Sequence, residues 1–484
     1  MILLLTVVFL LGYSMIALEG PLKIDKTASA LLTGTILWGI FALNASGILD
    51  LGYSHSWETV GQISDHIMQF IKPAIDGPTF DKLWAGYAEL SNNTINFVSR
   101  ELNLSLVGIA QILFFLAGAM IIVETIDEHS GFELITDKIK TVSKMKLMWI
   151  ISLLTFFMSA VLDNLTTTIV MVALLNKLID SKKTRWYAAS LIVISANAGG
   201  AWSPIGDVTT IMLWIGGQVT AANIITGVFL PSLVTVIVPL LLLSITVKGN
   251  VNRPTIENLK VKANTTPFES KLILIMGVGT LLLVPVIKTL THLPPFMGML
   301  FGLGIIWLTT EILHRNKSME ERSKLTVLGA LKHTDMGIIF FFMGILLAVG
   351  LLEAVGILDI MSKYLNESFS SIYAINLIIG LMSSIIDNVP LVAGTMGMYP
   401  IADAETATGF MTSFVVDGKF WEFLAYCAGT GGSILIIGSA AGVAAMSLEK
   451  IDFIWYLKKI SLLAIAGYLS GAAVYYIQME VFGF

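Results

Sequence analysis

The length of the apolar runs constrains this chain more than any other feature. From Ile224 to Ile245 no charged residue occurs over 22 positions, and about 20 consecutive apolar residues suffice to cross a hydrocarbon core. Runs of this kind recur along the chain, separated by short charged loops. The reading is an all-α polytopic membrane protein. Composition agrees: 55% of the 484 residues are hydrophobic and 13% are charged, against about 25% charged in a soluble domain. A net charge of −5 gives no reason to expect nucleic acid as a partner. The single cysteine, Cys427, excludes a disulfide framework and a thiolate metal site. Met1–Leu18 follows no basic residue and lacks a small-residue cleavage site, so it is predicted to be a first span rather than a removed leader.

Full spans are predicted near 1–18, 28–48, 104–125, 186–215, 222–246, 269–288, 295–314, 334–353, 420–447 and 456–478. Two further apolar stretches, 147–178 and 373–398, are each split by an acidic residue, and each is predicted to be a re-entrant hairpin. With the N-terminus outside, the basic clusters around Lys23, Lys138–Lys146, Lys182–Arg185, Lys248–Lys271, Arg315–Lys332 and Lys450–Lys459 all fall inside. Only Lys72, Lys82, Arg100, Lys288, Lys363 and Lys419 fall outside. Segment 49–103, with Trp57 and Trp84, reads as an external segment of amphipathic helices at the interface. Segment 247–268 reads as a cytoplasmic linker.

The chain repeats itself. Ser159-Ala160-Val161-Leu162-Asp163-Asn164 answers Ser383-Ser384-Ile385-Ile386-Asp387-Asn388, and Gly199-Gly200 and Gly206 answer Gly431-Gly432 and Gly438. The predicted halves, 1–246 and 269–484, each hold five spans and one hairpin. An odd number of spans turns the second copy upside down, giving two inverted-topology repeats with interrupted helices at the midplane. The broken helices are 186–215 and 420–447.

Those interruptions carry the chemistry. Asp163-Asn164-Leu165-Thr166-Thr167-Thr168 sets a carboxylate and hydroxyls at a hairpin tip within the apolar phase, where an aspartate costs at least ~2.5–3.5 kcal/mol on insertion scales. As a helix start it is equally a capping sequence, and both roles are compatible. Asn197 to Thr210 contains Gly199, Gly200, Pro204 and Gly206, which break a helix, and the oxygen donors Asn197, Ser203, Asp207, Thr209 and Thr210. Asp387-Asn388-Val389-Pro390 repeats the acidic tip, while Ser439 stands where Asp207 stands in the first half. Asp163, Asp207 and Asp387 are therefore the predicted carboxylate ligands for Na+. Glu124 and Glu353 read as helix-end charges. Burial disfavours a charged carboxylate and a nearby cation restores it, so such a site holds either a cation or protons.

These segments resemble the NhaD-type sodium/proton antiporters of the ion-transporter superfamily, from about residue 104 onward. The resemblance implies a homodimer in a bacterial inner membrane, each subunit with a scaffold and a transport domain, exchanging Na+ or Li+ for H+ without a cofactor. Carried over by position, the ion-site residues are Ser159, Asp163, Asn164, Thr166, Asn197, Asp207, Thr209, Thr210 and Asp387. Thr167, Ser203 and Asn388 join them from the reading above. The alternative is a sodium-coupled dicarboxylate or other anion transporter of the same fold. Such relatives carry neutral hairpin tips, whereas both tips here carry aspartate. An enzyme is disfavoured: His55, His66, His129, His292, His314 and His333 all lie in loops or at helix ends, and no H-E-x-x-H pattern occurs.

Overall fold

The computed structural model describes residues 1–66, 93–136, 139–252, 265–369 and 371–483. Among them, regular structure is helical apart from one isolated antiparallel bridge, Ser143 to Asn250. The principal helices, in chain order, are α1 (Ile2–Ala17), α2 (Lys26–Leu43), α3 (Thr94–Glu128), α4 (Lys144–Leu162), α5 (Asn164–Leu178), α6 (Lys182–Ala201), α7 (Val208–Ile215) and α8 (Ala221–Thr246). They continue with α9 (Pro267–Thr291), α10 (Pro295–Leu313), α11 (Met336–Ala354), α12 (Ile357–Ser368), α13 (Ile372–Met382), α14 (Asn388–Met398), α15 (Lys419–Gly431), α16 (Ala440–Glu449) and α17 (Ser461–Glu480). Among the described residues eight of these, α2, α3, α4, α8, α9, α10, α11 and α17, are long and apolar enough to cross a membrane. Their outer faces leave Ile245, Leu290, Phe301 and Leu462 exposed, a surface suited to lipid rather than water. The chain is a multi-pass membrane protein.

The boundaries differ from the sequence reading where polar residues meet apolar runs. The predicted span 28–48 stops at Leu43, and a short helix Ala45–Leu49 follows. Helix α3 begins at Thr94, so the last part of segment 49–103 continues the span instead of lying apart from it. Of the amphipathic helices expected there, His55–His66 is observed, while residues 67–92, with Trp84, lie outside the described residues. So does 253–264 of the linker. The predicted last span 456–478 divides at Ile460 into Phe453–Lys459 and α17.

The helices form two compact units. The first comprises Met1–Leu113, Met336–Ser370 and Ala393–Pro400. In it α2 and α11 cross at glycines: Gly34 faces the Gly344 carbonyl and Gly344 faces the Ala30 backbone, so a side chain at either would strike main chain. The second unit comprises Phe114–Asp335, Ser371–Val392 and Ile401–Phe484. There Gly467 and Gly471 of α17 lie against the Thr235 and Pro231 carbonyls of α8.

Within the second unit α4 and α5 double back at Asp163. The amide of Lys144 donates to the Gly249 carbonyl at 3.0 Å, that of Val251 to Val142 at 2.7 Å, and that of Asp180 to Asn252 at 3.0 Å. The start of α4 and the residues just after α5 thus lie beside one short segment. Helix α6 stops at Ala201 and α7 starts at Val208; α15 stops at Gly431 and α16 starts at Ala440.

The contacts repeat as the sequence does. Ser159 Oγ donates to the Ala196 carbonyl at 2.6 Å, and Ser383 Oγ to the Ala428 carbonyl at 2.7 Å. Gly199 sits under the Phe156 carbonyl as Gly431 sits under that of Gly380. Gly206 meets the Ser159 carbonyl as Gly438 meets that of Ser383. Each acidic turn is held to its broken helix through a corresponding serine and two corresponding glycines.

Candidate functional site

Asp163 occupies the turn between α4 and α5 with φ 82° and ψ 157°, a region populated almost only by glycine and costing about 1–3 kcal/mol. Two bonds to Thr166 hold it there: Oδ1 accepts from the Thr166 amide at 2.8 Å and Oδ2 from the Thr166 hydroxyl at 2.7 Å. The carboxylate is a helix cap, and it is 8% exposed. Asn164 turns inward and donates from Nδ2 to Asn197 Oδ1 at 3.1 Å. Asn197, in the last turns of α6, donates in turn to Ser433 Oγ and Ser439 Oγ, both at 2.9 Å.

Asp207 caps α7, accepting at Oδ1 from the Thr209 amide at 3.2 Å, and is 1% exposed. Its other oxygen accepts from Asn388 Nδ2 at 3.2 Å. Asp387 stands just before α14, half-buried, and accepts from the Val389 amide at 3.3 Å. Asp207 lies within electrostatic reach of both Asp163 and Asp387. Hydrogen bonds therefore join the Asp163-Asn164 and Asp387-Asn388 turns to both helix breaks inside the second unit.

The predicted donors divide by what their hydroxyls meet. Ser159, Ser203 and Thr210 donate to backbone carbonyls, of Ala196, of Ala160, and of Asp207 respectively. They tie the hairpin and the break together. Thr166 serves Asp163. Thr167 and its neighbour Thr168 are fully buried, and their hydroxyls have no hydrogen-bond partner among the described residues. Thr209 is fully buried at the start of α7.

Two members went unassigned in the sequence. Ser433 and Ser439 complete the coordination of Asn197, and Ser439 also caps α16 through the Gly442 amide at 3.1 Å. The repeat offset that sets Ser439 opposite Asp207 was the available signal. Glu422, buried in α15, bears no sequence mark of its own; Tyr475 Oη donates to it at 3.0 Å and Asn223 Nδ2 at 3.2 Å.

The chemistry follows from the charges. Three carboxylates meet amides and hydroxyls, and no lysine or arginine occurs in either tip or either break. Buried carboxylates such as Asp163 and Asp207 are costly to keep charged unless a cation or hydrogen-bond donors meet them. The ends of α6 and α15 add backbone carbonyls at the negative poles of their helices, which also favour cations.

The citrate-transporter family profile (CitMHS) matches residues 3–416. Sodium/proton antiporter 2 of Arabidopsis thaliana is 46% identical over 385 residues, which cover 79% of this chain and 88% of the relative. Sodium/proton antiporter 1 of the same plant is 48% identical over 367 residues, covering 76% of this chain and 62% of that longer protein. The Na(+)/H(+) antiporter NhaD of Alkalimonas amylolytica is 30% identical over 434 residues, covering 84% of this chain and 85% of the relative.

Proposed function

Because the chain belongs to the NhaD-type sodium/proton antiporter family, within the membership of the citrate-transporter profile, we propose that it exchanges Na+ or Li+ for H+ by alternating access, with Asp163, Asp207 and Asp387 binding cation and proton in competition. Family and relatives are transporters, not enzymes. One observation carries the reading: hydrogen bonds join both tips to both breaks, and Asp163, Asp207 and Asp387 stand in these segments, which contain no lysine or arginine. A cation entering it would meet carboxylates, the Thr167 hydroxyl and the carbonyls of the broken helices. Protons arriving at the same oxygens would displace it, and that competition is the exchange.

Two inverted repeats with re-entrant hairpins belong to the same proposal. The paired serine and glycine contacts and the doubling back at Asp163 support it. The two compact units support a division into scaffold and transport domain, since both tips and both breaks fall in the second. A homodimer in a bacterial inner membrane rests on the resemblance alone, and the Arabidopsis relatives are more identical to the chain than the Alkalimonas one.

The test is collapse of a preset pH gradient in proteoliposomes. Sodium or lithium should dissipate the gradient with the unaltered protein, and Asp163→Asn and Asp387→Asn should abolish the response while remaining folded. If neither ion dissipates it and the protein instead imports labelled citrate or a dicarboxylate, the anion reading replaces this one.

A further inference from the structure

The last two turns of α3 carry Glu124, Asp127 and Glu128, and its last turn holds no basic residue. This end of a helix is the negative pole of its dipole, so these charges are unfavourable there unless a cation meets them. Glu124 and Glu128 also stand four residues apart, where like charges repel. His333, the last residue of the short helix Val327–His333, faces them in the same unit, with Nδ1 3.2 Å from Glu128 Oε1. One carboxylate oxygen of Glu124, one of Glu128 and a ring nitrogen of His333 all lie within 4.8 Å of one another. Among the described residues no donor is hydrogen-bonded to Glu124.

We propose that Glu124, Glu128 and His333 form a binding site for a divalent transition-metal ion of the zinc class. Zinc binds imidazole nitrogen and carboxylate oxygen at about 2.0–2.2 Å, so tetrahedral ligands stand roughly 3.3 Å apart. The His333–Glu128 pair already has that separation. An imidazole among the ligands selects such ions over calcium and magnesium, which prefer oxygen alone. Water completes the shell from the exposed side of His333. The bound ion neutralises the end of α3 and fastens it to the segment that leads into α11. None of this depends on the exchange reading.

The experiment uses full-length, tag-free protein in detergent. Zinc binding is followed by calorimetry, and Co2+ alone by its visible absorption. Saturable binding of one Zn2+ per chain is expected, with cobalt bands of a four-coordinate N/O site. His333→Ala and Glu124→Gln should each weaken binding tenfold or more, while His292→Ala, at the C-cap of α9 and outside the cluster, changes nothing. His333 is 59% exposed in its side chain, so its substitution leaves the fold intact, which an unchanged thermal midpoint without metal verifies. Absence of saturable binding up to about 1 mM Zn2+, or equal affinity in the variants, overturns the site.

Discussion

Asn388 Nδ2 stands 3.2 Å from Oδ2 of Asp207, joining the turn before α14 to the break between α6 and α7 across 181 positions of sequence. The first tip makes the corresponding link through a neutral partner, Asn164 to Asn197. The two tips are thus anchored alike in shape and differently in charge. Only the second anchor rests on a carboxylate, whose charged form the Asn388 amide favours and which the proposed cation would meet.

That difference predicts an asymmetric response to substitution. A hydrogen bond to a charged group is worth about 1.5–3 kcal/mol, and 1.4 kcal/mol is about a factor of ten in affinity. Asn388→Ala should therefore raise half-saturating sodium roughly tenfold or more in the proteoliposome assay, with the maximal rate less affected. An unchanged half-saturating concentration would remove Asn388 from the ion site.

The glycine clasp predicts stability rather than affinity. A Cβ at Gly199 would run into the Phe156 carbonyl, and one at Gly431 into that of Gly380. Overpacking of this kind costs about 1–3 kcal/mol, so Gly199→Ala and Gly431→Ala should both lower the thermal midpoint. Gly39, exposed in α2 with nothing near its missing side chain, is the contrast. There alanine should be neutral or stabilising by up to ~1 kcal/mol, through helix propensity alone. Three equal midpoints would mean that the crossings can relax.

The clasp shows why some of this centre was legible in sequence. Where backbones touch, only glycine fits, so Gly199, Gly200 and Gly206 and their partners announce themselves by kind and spacing. An aspartate in an apolar run is equally conspicuous. Ser433 carries no such mark: serine is common in membrane helices, and its value comes from Asn197, which lies 236 positions away. Helix α12 escaped for a related reason. Its charged residues Asp359, Lys363 and Glu367 lower its hydropathy below that of a span, and what its apolar side meets is a tertiary matter.

In sequence His129 and His314 stand simply at helix ends, yet both are fully buried and their Nε2 atoms lie 2.8 Å apart. His129 Nδ1 is 2.7 Å from the Thr125 carbonyl and donates to it, so His129 Nε2 accepts and His314 Nε2 donates. His314 Nδ1 is then unprotonated and faces Glu269 Oε1 at 3.8 Å, with Lys317 bonded to the other oxygen at 2.9 Å. Burial, reinforced by Lys317 and His129, pushes His314 down from 6.5 to about 4, against the pull of Glu269. The unfolded chain therefore binds the extra proton first. This contribution to stability is complete above pH 6.5 and is lost as pH falls towards 4. His314→Gln keeps a donor to His129 and removes the titration. The drop in thermal midpoint between pH 6.5 and 4 should be smaller in the variant than in the unaltered protein. Parallel profiles would show that the ring does not titrate in this window.

Arg185 at the start of α6 and Glu449 at the end of α16 close the opposite ends of the broken helices. Arg185 Nε lies 2.9 Å from Glu449 Oε2, while the Trp186 indole donates to the Glu449 carbonyl at 3.0 Å. The partners are unequally buried, with side chains 20% exposed for Arg185 and 1% for Glu449. Arg185 also donates from Nη1 to the Ile179 and Asp180 carbonyls, so without Glu449 its guanidinium keeps acceptors and a path to water. Glu449 has no comparable recourse. Stranding a buried charge costs about 3–5 kcal/mol, which assigns the larger penalty to Arg185→Ala and a smaller one to Glu449→Gln. In a double-mutant cycle followed by thermal unfolding, Glu449→Gln should recover much of what Arg185→Ala loses, because the stranded charge is gone. Additive losses would mean that the carboxylate finds water once the arginine is removed, and that the ion pair only positions Trp186.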